Sequence, residues 1–225
     1  MSSCKQCIAR QLNGMNTLTK EEIKQVSACK TTRKYKKGDI IFYENEMLNG
    51  VYCVREGLCK LVKLSANGKE QTIKLMGKGE LIGQRSIISN ERTNLSAIAL
   101  NTMELCFVPK EEIISAIKTN RDFSFDVLQN LAQGLREAED DLINMAQKTV
   151  RQRLAATIIY VSKNFGVDKE GYLKVHLSRE DYASIVGTAT ESAIRILSQF
   201  KKEGLISTFG KKIKIENFKV LEGVE

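Results

Sequence analysis

The chain has 225 residues, 42% hydrophobic and 28% charged, an ordinary globular composition with room for two small domains. Its formal net charge is +8, and no apolar run approaches the roughly 18 residues of a membrane span, which excludes a membrane partner as an expectation. The opening stretch, MSSCKQCIARQ, lacks the apolar core of a signal peptide, so a cytoplasmic location is expected, with the six cysteines mostly as thiols.

Residues 17–27 read as a short helix, because Thr19 and Glu22 have capping-box spacing and Ile23 and Val26 supply an apolar face. From about Lys34 to Val108 short apolar pieces alternate with turn residues. The pieces are DIIFY, GVYCV, LCKLVKL, EQTIKLM, SAIAL and ELCFV. Asn67-Gly68 between two of them is a hairpin signal. Many short strands with regular turns predict a small antiparallel barrel or roll.

Pro109 opens helical sequence at a first-turn position, where its missing N–H costs nothing. A long helix is expected over about 123–146. Leu128, Leu131, Leu135, Ala138, Leu142 and Met145 follow at spacings of three and four, an unbroken heptad seam. Such a narrow seam predicts pairing with a second copy of the chain, beside the simpler reading of a helix packed on its own domain.

The last third alternates helix and strand. RQRLAATIIYVSKNFG is read as a helix, YLKVHL as a strand, and LISTFGKKIKIEN as a hairpin. SREDYASIVG and TATESAIRILSQFKKEG are read as two helices around a Gly187-Thr188 turn. Ser178 with Asp181, and Thr188 with Glu191, have capping-box spacing. Two capped helices joined by a glycine turn and followed by a hairpin predict a winged helix-turn-helix. Residues 145–225 hold 14 Lys+Arg against 9 Asp+Glu, an excess that suits nucleic acid.

Glu191 and Arg195 lie four apart near the start of the second helix, where base edges are met. Glutamate accepts from cytosine N4, and arginine forks onto guanine O6 and N7. The plain alternative is a surface ion pair. Thr188, Thr190 and Ser192 are candidate phosphate donors, and Ser178 joins them at the start of the first helix. Lys201, Lys202, Lys211, Lys212 and Lys214 are further phosphate candidates.

The ordered combination of these parts resembles the CRP/FNR family of bacterial regulators across essentially the whole chain. The string KGDIIFYENEMLNGVYCVREGLCKLVKL…GKGELIG looks like the family's cyclic-nucleotide-binding-type domain. The heptad helix resembles its dimerisation helix, and RLAATI…LSREDYASIVGTATESAIRILSQFKKEGLI its winged helix-turn-helix. The resemblance implies a Glu-x-x-x-Arg reading pair at Glu191 and Arg195. Thr190 stands where the nucleotide-responsive branch has an arginine, and Ile194 where the oxygen-sensing branch has a serine. It also implies a homodimer, a palindromic site in double-stranded DNA with half-sites about one helical turn apart, and RNA polymerase as a further partner.

The resemblance places an effector pocket at Gly79, Glu80, Leu81, Gly83, Gln84, Arg92 and Asn94. Gln84 replaces the ribose-binding glutamate of the nucleotide-binding branch, and Asn94-Leu95 falls where its phosphate-binding Arg-Ser belongs. A register shifted to Arg92 would make Thr93 serve as the serine. Cyclic AMP is therefore not the expected cofactor, since a buried phosphate needs a charged partner. The oxygen-sensing branch points instead to an iron–sulfur cluster. Cys4-x-x-Cys7 and Cys106 match three of its four ligands, but Asn13 stands where the third N-terminal cysteine belongs. For these three cysteines a metal or redox role stands beside simple packing. Cys53 and Cys59 are expected to be core residues.

The expected fold class is α+β: an N-terminal antiparallel β-roll of the cyclic-nucleotide-binding-like type, a long dimerisation helix and a C-terminal winged helix-turn-helix. The expected division is 1–16 as an N-terminal segment, 17–120 as the sensor roll, 121–147 as the dimerisation helix and 148–225 as the DNA-binding domain. A docking module for proteins is the second reading. No nucleophile and base stand at a recognisable spacing, so no enzyme is expected.

Overall fold

A computed structural model describes residues 14–65 and 68–224. Its chain forms two compact units. One ends at Leu135, and the other holds Arg136–Glu225 together with Lys69–Thr72.

In the first unit a 3₁₀ turn, Gly14–Thr17, precedes helix α1, Lys20–Cys29. The predicted capping box is present: the Thr19 hydroxyl accepts from the Glu22 N–H, and the Glu22 carboxylate accepts from the Thr19 N–H at 2.8 Å. Six strands follow: β1 Thr31–Tyr35, β2 Ile40–Phe42, β3 Gly50–Glu56, β4 Cys59–Leu64, β5 Glu70–Met76, which belongs to this unit from Ile73 onward, and β6 Leu81–Ile82. A short helix, α2 Gln84–Ser89, separates them from β7 Ser96–Ala99 and β8 Met103–Pro109. Two four-stranded sheets result, ordered β1-β8-β3-β6 and β2-β7-β4-β5, and β8 with β1 and β3, β3 with β6, and β7 with β2 and β4 pair antiparallel.

Three elements have no signal in the sequence pattern: β1 up to Lys34, β6 and α2. Four of the five residues of TTRKY are exposed, so alternation leaves no trace there. Helix α2 is only six residues long and starts from Gly83 at φ +87°, below the length at which periodicity is readable. Within the expected Asn67-Gly68 hairpin, Gly68 has φ +76°, and Asn67 lies outside the described residues.

The core of this unit is alternating strand faces. Tyr52 and Val54 of β3 and Leu105 of β8 belong to it, as do Cys59, Ala97, Ala99 and Met103. Pro109 ends β8 and caps helix α3, Lys110–Thr119, instead of sitting inside the first turn. Helix α4, Arg121–Gln147, follows directly, and its start is capped by Asn120, whose side-chain oxygen accepts from the Phe123 N–H at 2.9 Å. Phe123 and Val127 anchor its first turns in the roll's core.

In the second unit helix α5, Val150–Phe165, starts at a Thr149/Gln152 capping box and stops at Gly166. The expected strand YLKVHL is absent as a strand. Only isolated bridges, Val167↔Leu173 and Tyr172↔Lys214, mark the region. Leu173 and Leu177 are buried as alternation requires, but no full partner strand runs beside them. Helices α6, Arg179–Val186, and α7, Thr190–Lys202, precede the hairpin β9 Ile206–Phe209 and β10 Lys212–Ile215 and a last short helix, α8 Phe218–Glu222. Leu154, Ile158, Tyr182, Val186, Phe200 and Ile213 are among its buried side chains. No helix among the described residues is long and apolar enough to cross a membrane.

Candidate functional site

The turn between α6 and α7 is made by Gly187 at φ +66°, a left-handed conformation in which a Cβ is disfavoured. The Gly187 and Thr188 N–H groups both reach the Ala183 carbonyl and close α6. Thr188 is thus part of that closure, and the predicted Thr188/Glu191 capping box does not form. Ala189 takes the N-cap, with no side-chain hydrogen bond. The first N–H groups of α7 are therefore left without a side-chain cap. The Ser178/Asp181 box does form: the Ser178 hydroxyl donates to Asp181 Oδ2 at 2.8 Å and accepts from the Asp181 N–H at 3.0 Å. That hydroxyl is committed within the helix start.

Helix α7 is strongly two-faced. Ala193, Ile196, Leu197 and Phe200 are buried, while Glu191, Ile194 and Arg195 are exposed on the opposite side. Thr190 and Ser192 are half-buried at its start. No salt bridge joins Glu191 to Arg195 among the described residues. Lys201 and Lys202 are exposed at the far end of α7.

The hairpin after α7 is a wing, with Phe209↔Lys212 and Thr208↔Ile213 in register around Gly210. Lys211 is exposed at its tip. The Lys212 ammonium lies 5.5 Å from the Tyr172 ring centroid, and Lys214 lies 3.8 Å from Glu216. Of the three wing lysines, two therefore have a neighbour that holds them. Arg179, which no sequence motif singles out, donates from Nη2 to the Gly210 carbonyl at 3.4 Å, joining the start of α6 to the wing tip. Its Nη1 is buried with no partner. No spacing rule exposes an interaction across 31 residues.

Along α4 the seam splits. Leu128, Leu135 and Leu142 are 62%, 63% and 72% exposed, and Ala138 and Met145 are exposed with them. Leu131 instead packs against the roll's core.

In the roll, Gly79 and Gly83 both have positive φ, and Glu80 Oε2 accepts from the Gly77 N–H at 2.5 Å. Leu81 starts β6 and Gln84 starts α2. The Arg92 guanidinium donates to the Asn45 carbonyl at 2.9 Å on the surface, and Asn94 is exposed. Thr93 is buried, and its hydroxyl donates to the Tyr43 carbonyl at 2.7 Å.

Cys4 and Cys7 lie outside the described residues. Cys106, on β8, stands in register with Cys53 on β3, and the two form a small buried cluster with Leu81, separate from the main core. Cys53 is buried as expected, but not in that core. Cys59 is fully buried inside it, where burial first and the Glu80 charge second push its thiol far up. Cys29 is exposed, its thiol raised by desolvation and by Glu112. Among the described residues no three His, Cys, Asp or Glu side chains form a metal-holding group.

Comparison with known proteins agrees with this architecture. Residues 32–120 match the cyclic nucleotide-binding domain, and residues 152–224 the Crp-like helix-turn-helix domain. The chain is 26% identical over 216 residues to the transcriptional activator protein Anr of Pseudomonas aeruginosa, covering 94% of this chain and 88% of that protein. It is 25% identical over 207 residues to the cyclic AMP receptor protein of Thermus thermophilus, covering 92% and 94%. The structure of FixK2 from Bradyrhizobium japonicum shares the fold at a TM-score of 0.79 and 24% identity, over 86% of this chain and 96% of that one. With a nucleotide-binding-type roll, a long helix and a winged helix-turn-helix in this order, the chain belongs to the CRP/FNR family of DNA-binding transcription regulators.

Proposed function

We propose that this regulator works as a homodimer on a palindromic DNA site, and that its β-roll senses a redox or small-molecule signal. The observation that carries the reading is the exposed face of α7 bearing Glu191, Ile194 and Arg195, with no ion pair between its two charges. Arg195 forks onto a guanine and Glu191 accepts from a cytosine, while the apolar Ile194 between them suits a thymine methyl. Thr188, Thr190 and Ser192, the uncapped start of α7, Lys201, Lys202 and Lys211 bind phosphates. Ser178 serves by fixing the start of α6. Lys212 and Lys214 supply a more tethered charge.

The exposed Leu128, Leu135 and Leu142 stripe, continued by Ala138 and Met145, pairs with the same stripe of a second copy. A protein of this type acts in the cytoplasm, meets RNA polymerase there and has no enzymatic activity. Cyclic AMP is not its effector in this reading. Thr93 spends its hydroxyl on Tyr43, Arg92 holds Asn45, and Gln84 stands in place of a carboxylate.

The test is a gel shift against a library of palindromes, run beside sedimentation of the free protein. A dimer that selects one palindrome is the expected result. A monomer, or a dimer without sequence preference in the presence and absence of reductant, oxidant and metal, overturns the proposal.

A further inference from the structure

Phe209, at the end of β9, is 74% exposed, more than any leucine of the α4 stripe. Strand alternation and register assign its surroundings. Ile206 and Ile213 are buried beneath the wing, and Thr208 pairs with Ile213 on that inner face. Phe209 and Ser207 therefore face outward, with Lys212 and Lys214 opposite them in register. Tyr172 bridges to Lys214 beside β10, and the Lys212 ammonium lies 5.5 Å from its ring centroid. The outer face thus interleaves aromatic rings with ammonium groups. The Glu216 carboxylate lies at the base of this face, where it accepts from the Ser207 hydroxyl at 2.6 Å and stands 3.8 Å from Lys214. The tip itself, Phe209-Gly210-Lys211-Lys212, carries cations and no acid.

The tip is also held in place. The Phe209↔Lys212 pair closes a two-residue loop with Gly210, at φ +57°, in its first position, where such hairpins favour glycine. From the start of α6, Arg179 donates to the Gly210 carbonyl at 3.4 Å. Helix α7 leads into β9 through Gly204 at φ +71°, and helix and wing belong to one compact unit. A partner that suits this tip must offer anionic groups and apolar surface side by side. Duplex DNA does so, because its phosphates flank the deoxyribose edges of the minor groove. Each major-groove stretch is bordered by minor groove, so a wing beside a reading helix meets it. Phenylalanine is among the apolar side chains that enter that groove.

We propose that Phe209 is a DNA-contacting residue whose ring packs on the sugar edges of the minor groove flanking each half-site, with Arg179 as the positioning residue of the wing tip. The inference rests on the reading of α7 as the recognition helix. The contact adds a non-ionic part to binding. It also makes affinity depend on minor-groove width, and so on flanking sequence that no base-reading side chain touches.

The experiment is fluorescence anisotropy of the full chain on its selected palindrome, with A·T-rich or G·C-rich flanks, across a salt series. Wild type should distinguish the two flanks. Phe209→Ala should bind about tenfold more weakly, from the apolar burial it loses, and should no longer distinguish them. Its slope of log K against log salt should be unchanged, because no charge is removed. Phe209→Leu should recover most of the affinity. Arg179→Ala should lose flank discrimination as well, and combining it with Phe209→Ala should weaken binding by less than the product of the two single losses. Wild-type affinity in Phe209→Ala, or no flank preference in the wild type, overturns the proposal. A reduced salt slope in Phe209→Ala overturns it too, since the residue would then act only through the neighbouring lysines. Fully multiplicative losses overturn the role of Arg179. A chain that selects no palindrome fails the DNA reading itself, whereas one that selects a palindrome and binds it equally well as Phe209→Ala fails this inference alone.

Discussion

Glu191 and Arg195 stand one turn apart on the exposed face of α7 and form no ion pair with each other. Oppositely charged residues at this spacing ordinarily gain a few tenths of a kcal/mol by pairing. Here both heads are exposed and neither holds the other. Arg195→Ala should weaken binding to the selected palindrome by about 1–3 kcal/mol and relax preference at one base pair of each half-site. Thermal stability should be unchanged, because the side chain is exposed. Fluorescence anisotropy against single-base variants of the site measures both effects.

Lys211 at the wing tip should act differently. Its removal in Lys211→Ala should weaken binding to all sequences alike and reduce the slope of log K against log salt by about one unit for each phosphate no longer neutralised. Lys212→Ala should show less change in slope, since the Tyr172 ring already holds that ammonium. A salt titration of each variant separates the two.

The exposed leucines of α4 predict an assembly defect without a folding defect. Leu135→Asp or Leu142→Asp should convert a dimer into a folded monomer and abolish cooperative binding to both half-sites. Leu131→Asp should lower stability as well, because Leu131 packs on the roll's core. Sedimentation and circular dichroism together check this pattern.

Arg153 ties several helix ends of the second unit. Its Nε donates to the Val186 carbonyl at 2.9 Å, and its Nη1 donates to the Lys148 carbonyl at 2.6 Å and the Met145 carbonyl at 3.3 Å. These are terminal carbonyls that the helices themselves leave unsatisfied. Hydrogen bonds from a charged donor contribute about 1.5–3 kcal/mol. Arg153→Ala should cost an amount in this range in chemical denaturation. Gly187→Ala should cost about 1–2 kcal/mol through its left-handed backbone.

Stability should fall in alkali. Burial raises the Cys59 thiol well above its ordinary 9.0, and burial, only partly offset by Arg179, raises the Tyr182 hydroxyl well above 10.0. Both raised values favour the protonated, neutral form in the folded state. The stabilisation is therefore complete below the unfolded values and is lost as pH rises above about 9 for Cys59 and about 10 for Tyr182. Tyr182→Phe should flatten this decline in the second unit. Urea denaturation from pH 7 to 11 measures it.

The sequence by itself determined the parts and their order. Heptad spacing, the Thr19 and Ser178 capping boxes and the Gly187 turn are local signals, readable because helix geometry repeats within a few residues. Wherever the deciding interaction was distant, only the tertiary structure spoke. Thr188 has the spacing of a cap, but the closure of α6 claims it. YLKVHL alternates like a strand, yet no full strand runs beside it. Arg179 and Arg153 reach acceptors 31 and 33 residues away. Cys53 and Cys106 are far apart in sequence, and strand register alone places them opposite each other, on the face turned away from the core. Register is a property of the paired strands and is absent from either one alone.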